Sequence, residues 1–172
     1  MGLLEQIDYT VKPANRLQDR LQHAASRKWV SATLQRTLHP LDQTLHRISG
    51  GRHTAAGLLA GIPVIVLTTV GAKTGRYRTT PLMGTPMGDN LIVIGSNFGT
   101  KTTPGWVHNL EADPRAAVTY RKRHVAVLAR RANEQETERA FEAAAAIYAA
   151  FPSYRARAGH REVRVFALEA AK

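Results

Sequence analysis

Cysteine is absent from the 172 residues, which removes disulfides, thiolate metal ligands and a cysteine nucleophile, and fits a cytoplasmic home. Aromatic residues are scarce at 6%, a poor supply for stacking nucleobases. Zinc spacing, an aromatic RNP pattern and a basic region feeding heptads are missing too, so nucleic acid is not an expected partner. Acidic residues number 13 against 24 Lys and Arg, and they form neither a paired-carboxylate site nor a cluster suited to Mg²⁺ or Ca²⁺. The histidines, at positions 23, 39, 46, 53, 108, 124 and 160, show no H-x-H or H-E-x-x-H spacing, so no metal centre is expected. Long apolar runs are lacking as well. The most apolar stretch, Ala55 to Leu67, is too short to span a bilayer and is broken by Gly61 and Pro63. The opening MGLLEQIDYT has neither the basic start nor the apolar middle of a secretory signal. A soluble or membrane-peripheral chain with the length of one domain remains.

What is present is positive charge, +11 in all, which calls for a negative partner; with nucleic acid disfavoured, an acidic membrane surface or a polyanionic small molecule is left. The chain is organised around Pro63 to Met83. Val64, Ile65, Val66 and Leu67 read as a buried strand. Gly71-Ala72-Lys73-Thr74-Gly75 reads as a turn, and Arg76 to Thr80 as a returning strand that Pro81 marks as an edge or bulge. The predicted hairpin tip carries Lys73, Arg76 and Arg78 among free amides and threonine hydroxyls, a setting for phosphate or carboxylate. It is not a P-loop, and no G-x-G-x-x-G fingerprint occurs. The bland alternative is a solvated basic tip.

Residues 1 to about 60 read as helical. Leu17 and Leu21 share a face with Ala24 and Ala25 opposite Arg16, Arg20, Arg27 and Lys28, and Leu41, Leu45 and Ile48 follow Pro40 at helical spacing before Gly50-Gly51. Such a segment either lies on an anionic membrane or packs on the rest of the chain or a partner subunit, and packing is preferred. Downstream, Gly88-Asp89-Asn90 turns the chain into a strand over Leu91 to Ile94. Gly95 to Gly99 is a tight loop, in which Ile94 and Phe98 occupy the glycine places of a G-x-S-x-G elbow. Ser96 is therefore a donor or acceptor rather than a nucleophile. Pro104 opens a short helix closed by Asp113-Pro114, with Trp106 and Asn109 on one face. His108 has the chemistry of a general base but no evident carboxylate to orient it, so it reads as structural. A second hairpin, Ala116 to Tyr120 and His124 to Ala129, turns at Arg121-Lys122-Arg123. Asn133 and Glu136 form a capping box for an Ala-rich helix that runs to about Ala150 and ends at Phe151-Pro152-Ser153-Tyr154. Glu162 to Leu168 is the last strand.

TTVGAKTGRYRTTPLM followed by IVIGSNFGTKTTPGWVHNLEADP resembles the deazaflavin-dependent nitroreductase and quinone reductase family of actinobacteria, from about Pro63 to Leu168. The resemblance implies an α+β fold, a split β-barrel of about six mostly antiparallel strands over residues 61–172, to which residues 1–60, helical by their own pattern, are an N-terminal extension. It implies hydride transfer from the reduced 8-hydroxy-5-deazaflavin coenzyme F-420 to a quinone, enone or nitroaromatic. Residue by residue it sets Thr68, Thr69 and Val70 beside the coenzyme. Thr74, Gly75, Arg76, Tyr77, Arg78 and Thr79 fall on its phosphate and glutamate tail, with Lys73 added on charge. Ile94, Gly95, Ser96 and Asn97, and Gly105, Trp106, Val107, His108 and Asn109, flank the ring. Val107 replaces the family's usual tyrosine, and Thr79 stands where some relatives have one. Tyr154 and Ser96 are the candidate catalytic residues. Phe151 and Arg157 occupy positions where tyrosine is common, which leaves Tyr154 as the single hydroxyl over the substrate. The alternatives are an FMN enzyme on the same barrel, a non-catalytic deazaflavin carrier or a membrane-surface module, and a homodimer is compatible with each.

Overall fold

The computed structural model describes residues 1–12, 15, 18, 20, 22, 23 and 61–171. The amphipathic positions Leu17, Leu21, Leu41, Leu45 and Ile48 lie outside them, and with them most of the expected N-terminal helical segment. Within residues 1–12 the helix is a single turn, α1 (Leu3–Gln6), and Tyr9 to Lys12 has no regular structure. Leu3 and Ile7 are 0% exposed in the barrel core. Tyr9 donates its hydroxyl proton to the carbonyl of Gly84 at 2.5 Å. The chain's start is thus tied to the sheet.

Among the described residues seven strands form one antiparallel sheet: β1 (Val64–Val70), β2 (Tyr77–Met83), β3 (Thr85–Met87), β4 (Asn90–Ile94), β5 (Arg115–Tyr120), β6 (Arg123–Arg131) and β7 (Val165–Ala170). The strand missing from the sequence reading is β3, whose three residues include Pro86 and are too few to show period-two alternation. The order is β2-β1-β5-β6-β7-β4-β3. β2 is an edge strand, where Pro81 needs no amide hydrogen for an outer neighbour.

The sheet curls into a half-barrel. Its inward face, with Ile65, Leu67, Leu91, Val93, Val118, Val127, Phe166 and Leu168, is closed by Trp106, Val107 and Leu110 of α2 (Gly105–Ala112). β4 and β7 are buried on both faces. Ile92, Val165 and Ala167 point outward into a second core under α3 (Glu134–Ile147) and α4 (Phe151–Ala158). Strands covered on both sides read as continuous apolar runs, as Leu91 to Ile94 and Val165 to Leu168 do. The capping box at Asn133 and Glu136 is present.

Phe151 to Tyr154, read as the end of the Ala-rich helix, instead opens α4. Pro152 sits in that helix's first turn, where the missing N–H costs nothing. α3 stops at Ile147, and Tyr148 to Ala150 makes the corner.

Candidate functional site

The expected hairpin is formed by β1 and β2, with Val70 opposite Tyr77, Thr69 opposite Arg78 and Thr68 opposite Thr79. Its tip is knitted internally. The Gly71 amide donates to the carbonyl of Arg76 at 2.8 Å, and the amides of Thr74 and Gly75 donate to that of Gly71 at 3.1 and 2.7 Å. The Arg76 amide donates to Thr74 Oγ1 at 3.4 Å, and the Ala72 amide to Asn109 Oδ1 at 3.0 Å. The expected free amides are therefore largely used up, because a tight turn consumes its own donors. The side chains of Lys73, Arg76 and Arg78 are left, all exposed.

Asn109 is the junction of the site. Its amide also donates to Thr69 Oγ1 at 2.9 Å, so one side chain fastens α2 to both the last turn of β1 and the tip. Thr69 is 1% exposed and its hydroxyl is committed. The accessible members of that expected trio are the half-buried Thr68 and Val70. Along α2, Trp106 is buried with its ring edge-on to Phe166 at 6.1 Å, and Val107 is buried under Gly95. Gly105 and His108 are its exposed members within the candidate stretch. His108 does have a carboxylate neighbour, contrary to the sequence reading. Glu111, one helical turn on, lies 3.4 Å from His108 Nδ1 and also pairs with Arg164.

The second wall is the loop after β4. A Cβ at Gly95 would lie 2.9 Å from Val107 Cγ2, so only glycine lets β4 run this close beneath α2. Asn97, Phe98 and Gly99 all take left-handed backbone angles, with φ of 47°, 56° and 77°. That conformation is uncommon for Phe, and the surroundings hold it. Asn97 Nδ2 donates to the carbonyl of Thr102 at 3.0 Å. Arg161 donates to the carbonyls of Gly95, Ser96 and Thr100 at 3.0, 2.9 and 3.1 Å. Burial, with Arg164 nearby, lowers the pKa of Arg161. The loop is thus pinned by a cation that bonds carbonyls rather than a carboxylate. Ser96 is 6% exposed within this wall, and Ile94 is half-buried.

Phe98 carries the wall to α4, its ring edge-on to Tyr154 at 5.7 Å. Tyr154 does not stand alone. The Tyr148 hydroxyl lies 3.0 Å from its own. Tyr148 precedes it by six residues across the α3–α4 corner, a spacing that no single helix period would bring together. Contacts thus lead from the basic tip through Asn109 to α2, from α2 to Gly95, and along the 95–99 loop to the tyrosine pair.

Solved structures share this architecture. An F420-H2 dependent reductase (FDR-A) is 28% identical, with a TM-score of 0.57, over 62% of this chain and 94% of its own. A chain solved as a domain-swapped dimer is 26% identical, with a TM-score of 0.59, over 82% of this chain and 97% of its own. The fold is thus a split barrel of the FDR type. The model of the F420H(2)-dependent quinone reductase family matches residues 20–170, and the chain belongs to that family. A Mycobacterium tuberculosis F420H(2)-dependent quinone reductase is 35% identical over 89 residues, 51% of this chain and 58% of that protein's length.

Proposed function

We propose that this chain is an oxidoreductase that passes hydride from reduced coenzyme F-420 to a quinone or a similarly electron-poor carbonyl compound, with nitroaromatics as incidental acceptors. One observation in the structure carries the reading. Among the described residues Arg115, Arg130, Arg131, Arg155 and Arg164 each have a carboxylate partner. Lys73, Arg76 and Arg78, gathered at one hairpin, have no carboxylate partner among the described residues and suit a ligand bearing several anionic groups. That donor set fits the phosphate and glutamate tail of F-420 better than the single phosphate of FMN. Family membership and the likeness to FDR-A support the same coenzyme.

In this reading Lys73 and Thr74 to Thr79 hold the tail, with Arg76 and Arg78 foremost. Thr68 and Val70, residues 94–97 and the accessible positions of 105–109 border the ring. Asn109 fixes the distance between tail and ring sites by tying the tip to α2. The bound coenzyme supplies the hydride chemistry, and the protein orients it and excludes water. Tyr154 supplies the proton that the reduced acceptor needs. A homodimer belongs to the reading through the likeness to the domain-swapped chain, and sedimentation equilibrium tests it. Peripheral contact with anionic membranes rests on the basic N-terminal sequence, and vesicle sedimentation tests that.

The coenzyme assignment is tested by titrating apo-protein with F-420, FMN and a tail-less deazaflavin. Arg76 and Arg78 are exposed, so each bond contributes about 1 kcal/mol or less. Changing both to Gln should weaken F-420 about tenfold and leave the tail-less ligand unmoved. Tighter binding of FMN than of F-420, or equal losses for both deazaflavins, contradicts the assignment.

A further inference from the structure

Tyr148 and Tyr154 lie in the core between α3, α4 and the outward side of β4 and β7, 7% and 3% exposed, with ring centres 5.7 Å apart. Their hydroxyls are 3.0 Å apart. Two phenols in contact share one proton between their oxygens and have a second to give elsewhere. Arg157 follows Tyr154 by three residues and so lies on the same face of α4. Its guanidinium carbon is 5.0 Å from the centre of the Tyr154 ring. It also donates to the carbonyl of Phe98 at 3.3 Å, and the Phe98 ring closes on Tyr154. The 95–99 loop thus holds the cation against the tyrosine.

We infer that Tyr148 and Arg157 are positioning residues that make Tyr154 the proton donor of the pair, by stabilising the phenolate it becomes. The inference rests on the proposed quinone-type acceptor. Hydride arriving at a quinone leaves an oxyanion. The Tyr154 O–H bond breaks, its proton goes to that oxyanion, and the bonding electron pair stays on Tyr154 Oη. Tyr148 can then only donate to that oxygen, while Arg157 lies over the ring on which the negative charge is spread. Water returns the proton to Tyr154 as product leaves.

What sets Tyr154 apart is position: the Arg157 guanidinium lies over its ring and the Phe98 ring closes on it. Burial raises the pKa of both phenols. The Arg157 charge opposes that rise on both phenols, and in the 3.0 Å contact either hydroxyl can donate. Among the described residues these are the titratable groups that α3 and α4 bring to bear on Tyr154.

The test is a double-mutant cycle read by stopped-flow oxidation of the bound reduced coenzyme with excess benzoquinone. Tyr154→Phe should slow the step on the order of 10²-fold. Tyr148→Phe, which removes one hydrogen bond to a charged group, should slow it about tenfold. In the Tyr154→Phe background it should add nothing. F-420 affinity should stay constant throughout. Equal slowing in both backgrounds overturns the inference, since a packing role would act in either.

A second readout needs neither coenzyme nor turnover. With tyrosine labelled by ¹³C at Cζ, the Tyr154 resonance is assigned by its loss in Tyr154→Phe. Its deprotonation should move to higher pH in Tyr148→Phe and in Arg157→Gln, with partial return in Arg157→Lys. An unmoved resonance in the two variants overturns the inference. The expected NMR response from a protein inert toward quinones supports phenolate stabilisation while overturning the reductase reading.

Discussion

Asn109→Ala and Asn109→Asp should separate the structural role of the α2–tip junction from its electrostatic one. Asn109 makes two neutral hydrogen bonds, from the Ala72 amide at 3.0 Å and to Thr69 Oγ1 at 2.9 Å. A neutral bond contributes about 0.5–1.5 kcal/mol net, and an abandoned buried partner costs about 1–3 kcal/mol. The Ala72 amide is exposed and finds water once alanine replaces Asn109, whereas Thr69 is 1% exposed. Asn109→Ala should therefore lose about 2 kcal/mol, nearly all of it at Thr69. Aspartate keeps the acceptor for Ala72, and the Thr69 hydroxyl can rotate to donate to it, so Asn109→Asp should lose about 0.5 kcal/mol or less. It also brings a carboxylate to the base of the basic tip. A competing exposed ion pair there is worth about 0.2–1 kcal/mol. Asn109→Asp should accordingly weaken F-420 up to about fivefold beyond any loss shown by Asn109→Ala. Urea unfolding of the apo-proteins and fluorescence titration with F-420 measure the two effects. Asp as destabilising as Ala would refute the hydrogen-bond account of the junction, and tighter F-420 binding by the Asp variant would refute the anion site.

Two further outcomes follow from other parts of the molecule. Arg161→Ala frees three backbone carbonyls and should cost about 2–3 kcal/mol, seen as a lower Tm together with faster amide exchange confined to residues 95–100; global loosening would contradict the pinning role. Glu136 should make the stability of α3 depend on pH. The Arg130 side chain, and then the Asn133 amide, lower its pKa from 4.5 to about 2. Because the folded value is the lower one, the stabilisation is complete above the unfolded pKa and disappears as pH falls toward about 2. Between those values Tm should fall more steeply in wild type than in Glu136→Gln, and parallel curves would show the pair contributes nothing.

Much of this fold was legible because its signals are local. Val64 to Leu67, Leu91 to Ile94 and the Asn133–Glu136 box each declare themselves by composition or spacing within a few residues. Pro81 marked an edge or a bulge, and β2 is an edge strand. β3 escaped because three residues around Pro86 carry no period. The α3–α4 corner escaped because Phe151-Pro152 looks the same whether it ends one helix or opens the next. In the candidate site, the basic hairpin and the α2 stretch could be found from the sequence, but their inner wiring could not. Tyr148, Glu111 and Arg161 act through partners that are set by a corner, a helical turn and a long-range approach. Arg161 in particular is one of many arginines in a basic chain, and only the fold sets it against three carbonyls. The Trp106–Asn109 face was readable from helical spacing. Its division into a buried ring and a polar clamp depended on where Phe166 and Thr69 lie.

The central claim is that this chain itself moves hydride from reduced F-420 to a quinone. Anaerobic stopped-flow mixing of the protein bearing stoichiometric reduced F-420 with excess benzoquinone tests it most directly, with protein-free coenzyme and protein bearing reduced FMN as controls. The account predicts rapid, protein-dependent return of the oxidised deazaflavin spectrum with one hydroquinone formed per coenzyme, and slower reaction with FMN. Oxidation no faster than in the protein-free control, or faster with FMN, would contradict it.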